Sequence, residues 1–225
     1  MGNLIASETK ERAYEVYKRV DFINYWLYTF TATCLLCLVE PFVAIWLGQD
    51  FVLTKAILIL AVAIYYFKGI NSGIDIAKNA AGLYYPDRFI PMAEAIANMV
   101  ISIVLAKRCG IAGVLFGTLV SFLALSFWAK PYFVCRDVFE VSFARYAVRE
   151  GREIVVSVLV AAGTWYAVSL VSLENVLLSF GVKALLALAL SNGLLLLVYF
   201  KTSEFQYLRG LLESAANRIG KRKKA

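Results

Sequence analysis

Six stretches of the chain, each close to 20 residues and almost free of charge, decide what it can fold into. They run approximately from Phe22 to Leu47, Phe51 to Phe67, Ile90 to Ala106, Ile111 to Ala129, Ile154 to Leu173 and Val176 to Phe200. A helix rises about 1.5 Å per residue, so about 20 apolar residues cross the roughly 30 Å hydrocarbon layer of a bilayer. The runs are continuous rather than alternating, which selects helices over a β-barrel. A water-soluble globule does not tolerate such runs at this density: 61% of the 225 residues are apolar and only 17% are charged. The expected fold is an all-α integral membrane protein, a bundle of about six transmembrane helices with short outer turns and a C-terminal amphipathic basic helix.

The same pattern divides the chain. Residues 1–21 read as a polar cytoplasmic segment, 22–129 as a four-span core, 130–153 as a basic cytoplasmic loop, 154–200 as two further spans and 201–225 as an amphipathic basic tail. The net charge of +7 then reads as membrane topology and not as an affinity for nucleic acid. With both termini in the cytoplasm, only Lys55, Lys107, Arg108 and Lys183 fall outside cytoplasmic segments, and Lys55 and Lys183 sit near the outer ends of spans where they can snorkel. The tail repeats Phe205, Leu208, Leu212, Ala215 and Ile219 at helical spacing beside Arg209, Arg218 and Lys221 to Lys224, a pattern suited to anionic lipid headgroups. Within 131–153 the reading stays open between a short interfacial helix carrying Phe139, Phe143 and Tyr146 and an irregular basic loop.

Chemistry is sparse. The chain has no His, and the C-x-x-C of Cys34 and Cys37 lies in an apolar run, so no catalytic centre, metal-ligand set or cofactor motif is read. Ionisable groups beside apolar spans are costly and mark candidate sites. Beyond Phe67 the helical pattern continues through Lys68, Asn71, Asp75, Lys78 and Asn79 on one face: either a polar cavity wall attracting an anion, or a cytoplasmic extension with an Asp75–Lys78 surface pair. Glu94 and Asn98 share a face of the third span. Gly69 with Gly73, and Gly113 with Gly117, have the spacing that lets helix backbones approach closely.

Several words of the sequence are familiar: "GNLIASETKE", "YKRVDFINYW", "PFVAIWLG", "KNAAGLYYPDRFIPMAEAIANMVISIVLAKRCGIAGVLFGTLVS" and "KPYFV". Over Gly2 to about Val134 the chain resembles the carboxyl-terminal half of bacterial polysaccharide flippases, the Wzx-like group of the multidrug/oligosaccharidyl-lipid/polysaccharide transporter superfamily. Asn98, Ser102, Gly110, Gly113, Gly117 and Thr118 match that family's pattern. The resemblance implies a non-enzymatic transporter of two lobes around a central cavity, carrying polyprenyl-diphosphate-linked oligosaccharide across the cytoplasmic membrane. Lys68, Lys78 and Arg88 are then expected at the diphosphate, Asn71, Asn79 and Asn98 at sugar hydroxyls, and Asp75 or Glu94 at a coupling cation or proton. Family members carry a first lobe before the "GNL" word, so the chain is expected to be a fragment partnered by that lobe. A membrane scaffold or inactive remnant is the alternative; a polysaccharide polymerase or ligase fits poorly, because the outer turns are too short to hold catalytic groups.

Overall fold

The computed structural model describes residues 9–210, and these form an α-helical bundle without strands. The helices are α1 (Lys10–Trp46), α2 (Lys55–Ala80), α3 (Ile90–Ala124), α4 (Ser126–Val134), α5 (Phe143–Ser169) and α6 (Val176–Tyr199). A 3-10 turn, Gln49–Phe51, follows α1, and a π-helical turn, Cys135–Phe139, continues α4. Five helical segments are long and apolar enough to cross a membrane. The protein is a multi-pass membrane protein by this architecture, and its surface agrees. Leu177, Leu185 and Leu197 are about 70% or more exposed in the absence of lipid (70%, 68% and 81%), whereas Asp21, Asn71, Glu150, Glu153 and Thr164 are buried. That inversion suits hydrocarbon outside and polar groups inside.

One of the five segments holds two of the six apolar runs. Gly110, at φ 58° and ψ −134°, interrupts α3, a left-handed conformation that glycine adopts without a Cβ penalty. The chain then folds back on itself. Thr118 Oγ1 lies 3.2 Å from Asn98 Oδ1, although 20 residues of straight helix would separate them by about 30 Å. A Cβ added to Gly113 would stand 2.4 Å from the Leu105 carbonyl oxygen, and one on Gly117 3.0 Å from the Ser102 amide nitrogen. The two glycines bring the arms of an antiparallel hairpin into backbone contact. Gly69 and Gly73 likewise receive α1: a Cβ on Gly69 would overlap the Tyr28 ring, and one on Gly73 would meet Asp21 Oδ1 at 2.5 Å.

α1 is the central element, packed against α2, α5 and α6, while α2 joins this group to the α3 hairpin and α4. At about 1.5 Å per residue its 37 residues extend about 55 Å, well beyond the hydrocarbon layer. The core follows its length. At the end bearing Lys10, named inner after the orientation expected from the charges, Tyr14 and Tyr17 pack with Ile74, Ala77, Val134, Phe139 and Tyr146. A middle cluster gathers Phe22, Tyr25, Ile70, Phe127, Val160 and Leu195, and Cys37, Val168 and Ala187 close the outer end.

Residues 10–21, expected as a polar segment, and 131–153, left open between a helix and a loop, are both largely helical. Residues 10–21 are the opening turns of α1, begun at Thr9, whose side chain accepts from the Arg12 amide. Of 130–153, only Glu140–Ser142 interrupts helical structure, with Glu140 left-handed at φ 52°. Phe139 and Tyr146 are buried at 2% exposure, packed against α1 rather than lying on lipid. Charge in these segments suggested solvent, but the charged residues pair with one another. Of the expected tail helix, residues 203–210 are helical; Leu212, Ala215, Ile219 and Lys221 to Lys224 lie outside the described residues.

Candidate functional site

α1, α2 and α5 converge on three hydroxyls. Thr29 Oγ1 and Ser157 Oγ lie 2.7 Å apart, and Tyr66 Oη donates to Ser157 Oγ at 2.9 Å. All three residues are buried. Each helix presents its small or polar side toward this seam because its opposite side is apolar enough to face lipid. On α5 the inward set is Glu150, Glu153, Ser157 and Thr164, recurring three, four or seven residues apart, while Val155, Leu159 and Tyr166 point outward.

From this hydroxyl floor an apolar groove of about 370 Å3 opens between the three helices, walled by Ala32, Leu36, Leu58, Val62, Val158 and Ala161. A polar cavity of about 310 Å3 adjoins it, the two sharing Glu40, Lys55 and Trp165; the polar part adds Gln49, Ser169 and Lys183. Lys55 Nζ stands 5.9 Å from the centre of the Trp165 ring. Among the described residues neither Lys55 nor Lys183 has a carboxylate within ion-pair distance. An apolar trough thus lies beside a polar cavity with two lysines and one glutamate. Chemically this accommodates a hydrocarbon chain ending in an anionic group, since aliphatic walls take the chain and the unpaired lysines take the charge.

The residues expected at a substrate cavity lie elsewhere, on the side of α2 toward α3 and α4. Asp75 and Lys78 do not pair with each other. Lys130 Nζ donates to Asp75 Oδ1 at 2.9 Å and Oδ2 at 3.2 Å, and Lys78 is ion-paired with the buried Asp87. That pairing neutralises Lys78 as an anion receptor. Lys68 is exposed with its ammonium 5.7 Å over the Phe122 ring, Asn79 is exposed, and Arg88 stacks on Tyr85 at 4.1 Å and on Phe89 at 4.6 Å. Glu94 accepts a hydrogen bond from Ser126, tying the hairpin to α4. Asn98 Oδ1 accepts from Ser102 at 2.8 Å and Thr118 at 3.2 Å, bridging the hairpin arms. Asn71 is buried at 2% exposure, and neither its amide nitrogen nor its oxygen has a protein partner among the described residues. These side chains are not gathered around one cavity.

No family model matches the chain, and no curated protein or solved structure matches it significantly. Function therefore rests on the geometry and on the sequence words. The groove residues were missed because Lys55 and Lys183 read as separate snorkelling cations, 128 positions apart. The inward stripe on α5 was the available signal: polar residues at helical spacing within an apolar run point toward protein, not lipid. At the inner end of the same seam Asp21, Arg149, Glu150 and Glu153 are also brought together, a grouping that no sequence motif announces.

Proposed function

We propose that the chain is part of a membrane transporter that moves polyprenyl-diphosphate-linked oligosaccharide across the bacterial cytoplasmic membrane. The observation that supports it is the adjoining pair of cavities, an aliphatic groove beside a polar one that holds Lys55 and Lys183. A prenyl chain occupies the trough, and its diphosphate is met by the two lysines; Lys68, Lys78 and Arg88 are not needed. The protein breaks no bond in this reading; it binds and gates. The facing wall of the pathway comes from the complementary lobe that the sequence resemblance implies.

The test uses proteoliposomes containing the full chain and a photoreactive polyprenyl diphosphate. Cross-links are expected on α1, α2 and α5 at the groove, with labelling reduced about tenfold by K55A/K183A, the equivalent of about 1.4 kcal/mol. Equal labelling by the corresponding uncharged polyprenol, or cross-links spread over the lipid-facing surface, would leave a membrane scaffold as the better reading. In the proposed orientation both termini are cytoplasmic. A cysteine at the exposed Ser142, in a background with Cys109 replaced, is expected to react with an impermeant reagent only after spheroplasts are opened.

A further inference from the structure

We propose that Asp21, Glu150 and Glu153 form the binding site for one hard divalent cation at the inner end of the seam between α1 and α5. One carboxylate oxygen from each residue lies within 4.8 Å of the other two, and the residues are only 5%, 3% and 6% exposed. Oxygens gathered around a magnesium, manganese or calcium ion at about 2.0 to 2.6 Å are separated by no more than about twice that distance. The groups come from two helices: Asp21 ends the opening turns of α1, while Glu150 and Glu153 lie three residues apart on one side of α5.

With all three carboxylates ionised, the charges do not balance without a ligand. Arg149 is ion-paired with Asp21 and stands 3.8 Å from Glu153 Oε1, and among the described residues Glu150 has no ion-pair partner. Three carboxylates facing one guanidinium leave two negative charges in a buried setting, where an unpaired ion is strongly unfavourable. Arg152 and Glu204 flank the cluster with opposite charges and do not change the balance. A divalent cation balances them, as protons on the two glutamates also would.

A second observation points to the same place. Tyr17 is 1% exposed, one helical turn before Asp21, with its hydroxyl directed toward that carboxylate but in hydrogen-bonding geometry with nothing. A buried hydroxyl without a partner is costly. Water in a cation's remaining coordination positions supplies the missing acceptor. Arg149 Nε, also buried and unpartnered, faces the same group of oxygens. The donor set is all oxygen, which favours magnesium, manganese or calcium over zinc or copper. Three protein ligands leave room for several waters, the usual arrangement for magnesium. The site rests on the packing of α1 against α5 and is independent of the transport reading.

The test is manganese binding to the purified full chain in nanodiscs at pH 7.5, followed by the electron paramagnetic resonance of free ion. One saturable site per chain is expected, displaced by magnesium. Ligand charge sets affinity at such sites, so E150Q should weaken binding about tenfold or more and E150Q/E153Q should abolish it. Y17F, which leaves every ligand in place, should weaken binding a few-fold, in the manner of an outer-shell partner. Magnesium should raise the thermal midpoint of the wild type and leave that of E150Q/E153Q unmoved. Absence of a saturable site in the folded wild type, or a site of undiminished affinity in E150Q/E153Q, would overturn the proposal. So would a wild type stabilised by acid and indifferent to magnesium, the mark of carboxylates that hold protons instead.

Discussion

The two ends of the α1–α5 seam carry similar residue types and do opposite things with them. At the inner end Tyr17, Asp21, Glu150 and Glu153 are buried around the guanidinium of Arg149. At the outer end Glu40, Lys55 and Lys183 surround an open cavity and touch no counter-ion among the described residues. The Thr29–Ser157–Tyr66 hydroxyls separate the two. Charge near a membrane border is therefore not one signal but two: buried between helices it holds them together, through Arg149 and through the cation proposed there, whereas exposed and unpaired it is open to a ligand that enters along the groove.

The strongest way to break the comparison is Arg149→Ala. It leaves Asp21 and Glu153 buried without their guanidinium and is expected to cost about 3 to 5 kcal/mol, read as a lowered unfolding midpoint in detergent. A loss below about 1 kcal/mol would mean that the inner end is not sealed. Next is Gly113→Ala, which tests packing away from the seam: the new methyl meets the Leu105 backbone, which cannot swing aside, and about 1 to 3 kcal/mol is expected. Gly181→Ala, with open space around it, is the control and should be neutral or slightly stabilising. Ser157→Ala removes the bridge between Thr29 and Tyr66 and should cost about 1 kcal/mol, measured in the same way. The smallest effect belongs to the outer end. Lys55→Ala should change stability by no more than about 0.5 kcal/mol, yet lower labelling of the groove by the diphosphate probe, the reverse of the Arg149 result.

How much of this the sequence disclosed depends on whether a feature is local. The apolar runs, the turn at Gly110 and the close-packing glycines are written in consecutive residues, and the membrane architecture follows from them. The charged stretches 10–21 and 143–153 misled for the same reason. Taken singly each looks like a solvated tail, and only their contact across 128 positions, Asp21 to Arg149, makes them interior. The face of Lys68, Asn71, Asp75 and Lys78 is legible as helical spacing, but the partners that settle its chemistry, Asp87 and Lys130, arrive from a connecting loop and from α4. The groove needs three helices at once. Its only trace in one dimension is the polar stripe along α5, which recurs at helical intervals inside an apolar run.

That stripe also bears on biogenesis. α5 is the least apolar of the five candidate membrane segments, and its Ser157 and Arg149 find partners on α1 and α2, synthesised more than 80 residues earlier. Released alone into lipid, it would present Glu150, Glu153, Ser157 and Thr164 to hydrocarbon, an expensive arrangement. α6 carries no such burden, being apolar around most of its circumference. Insertion of α5 thus depends on α1 and α2 waiting beside the point of entry, so the order of the genetic message becomes an order of assembly, in which a defect in the first helix surfaces as failed insertion of the fifth.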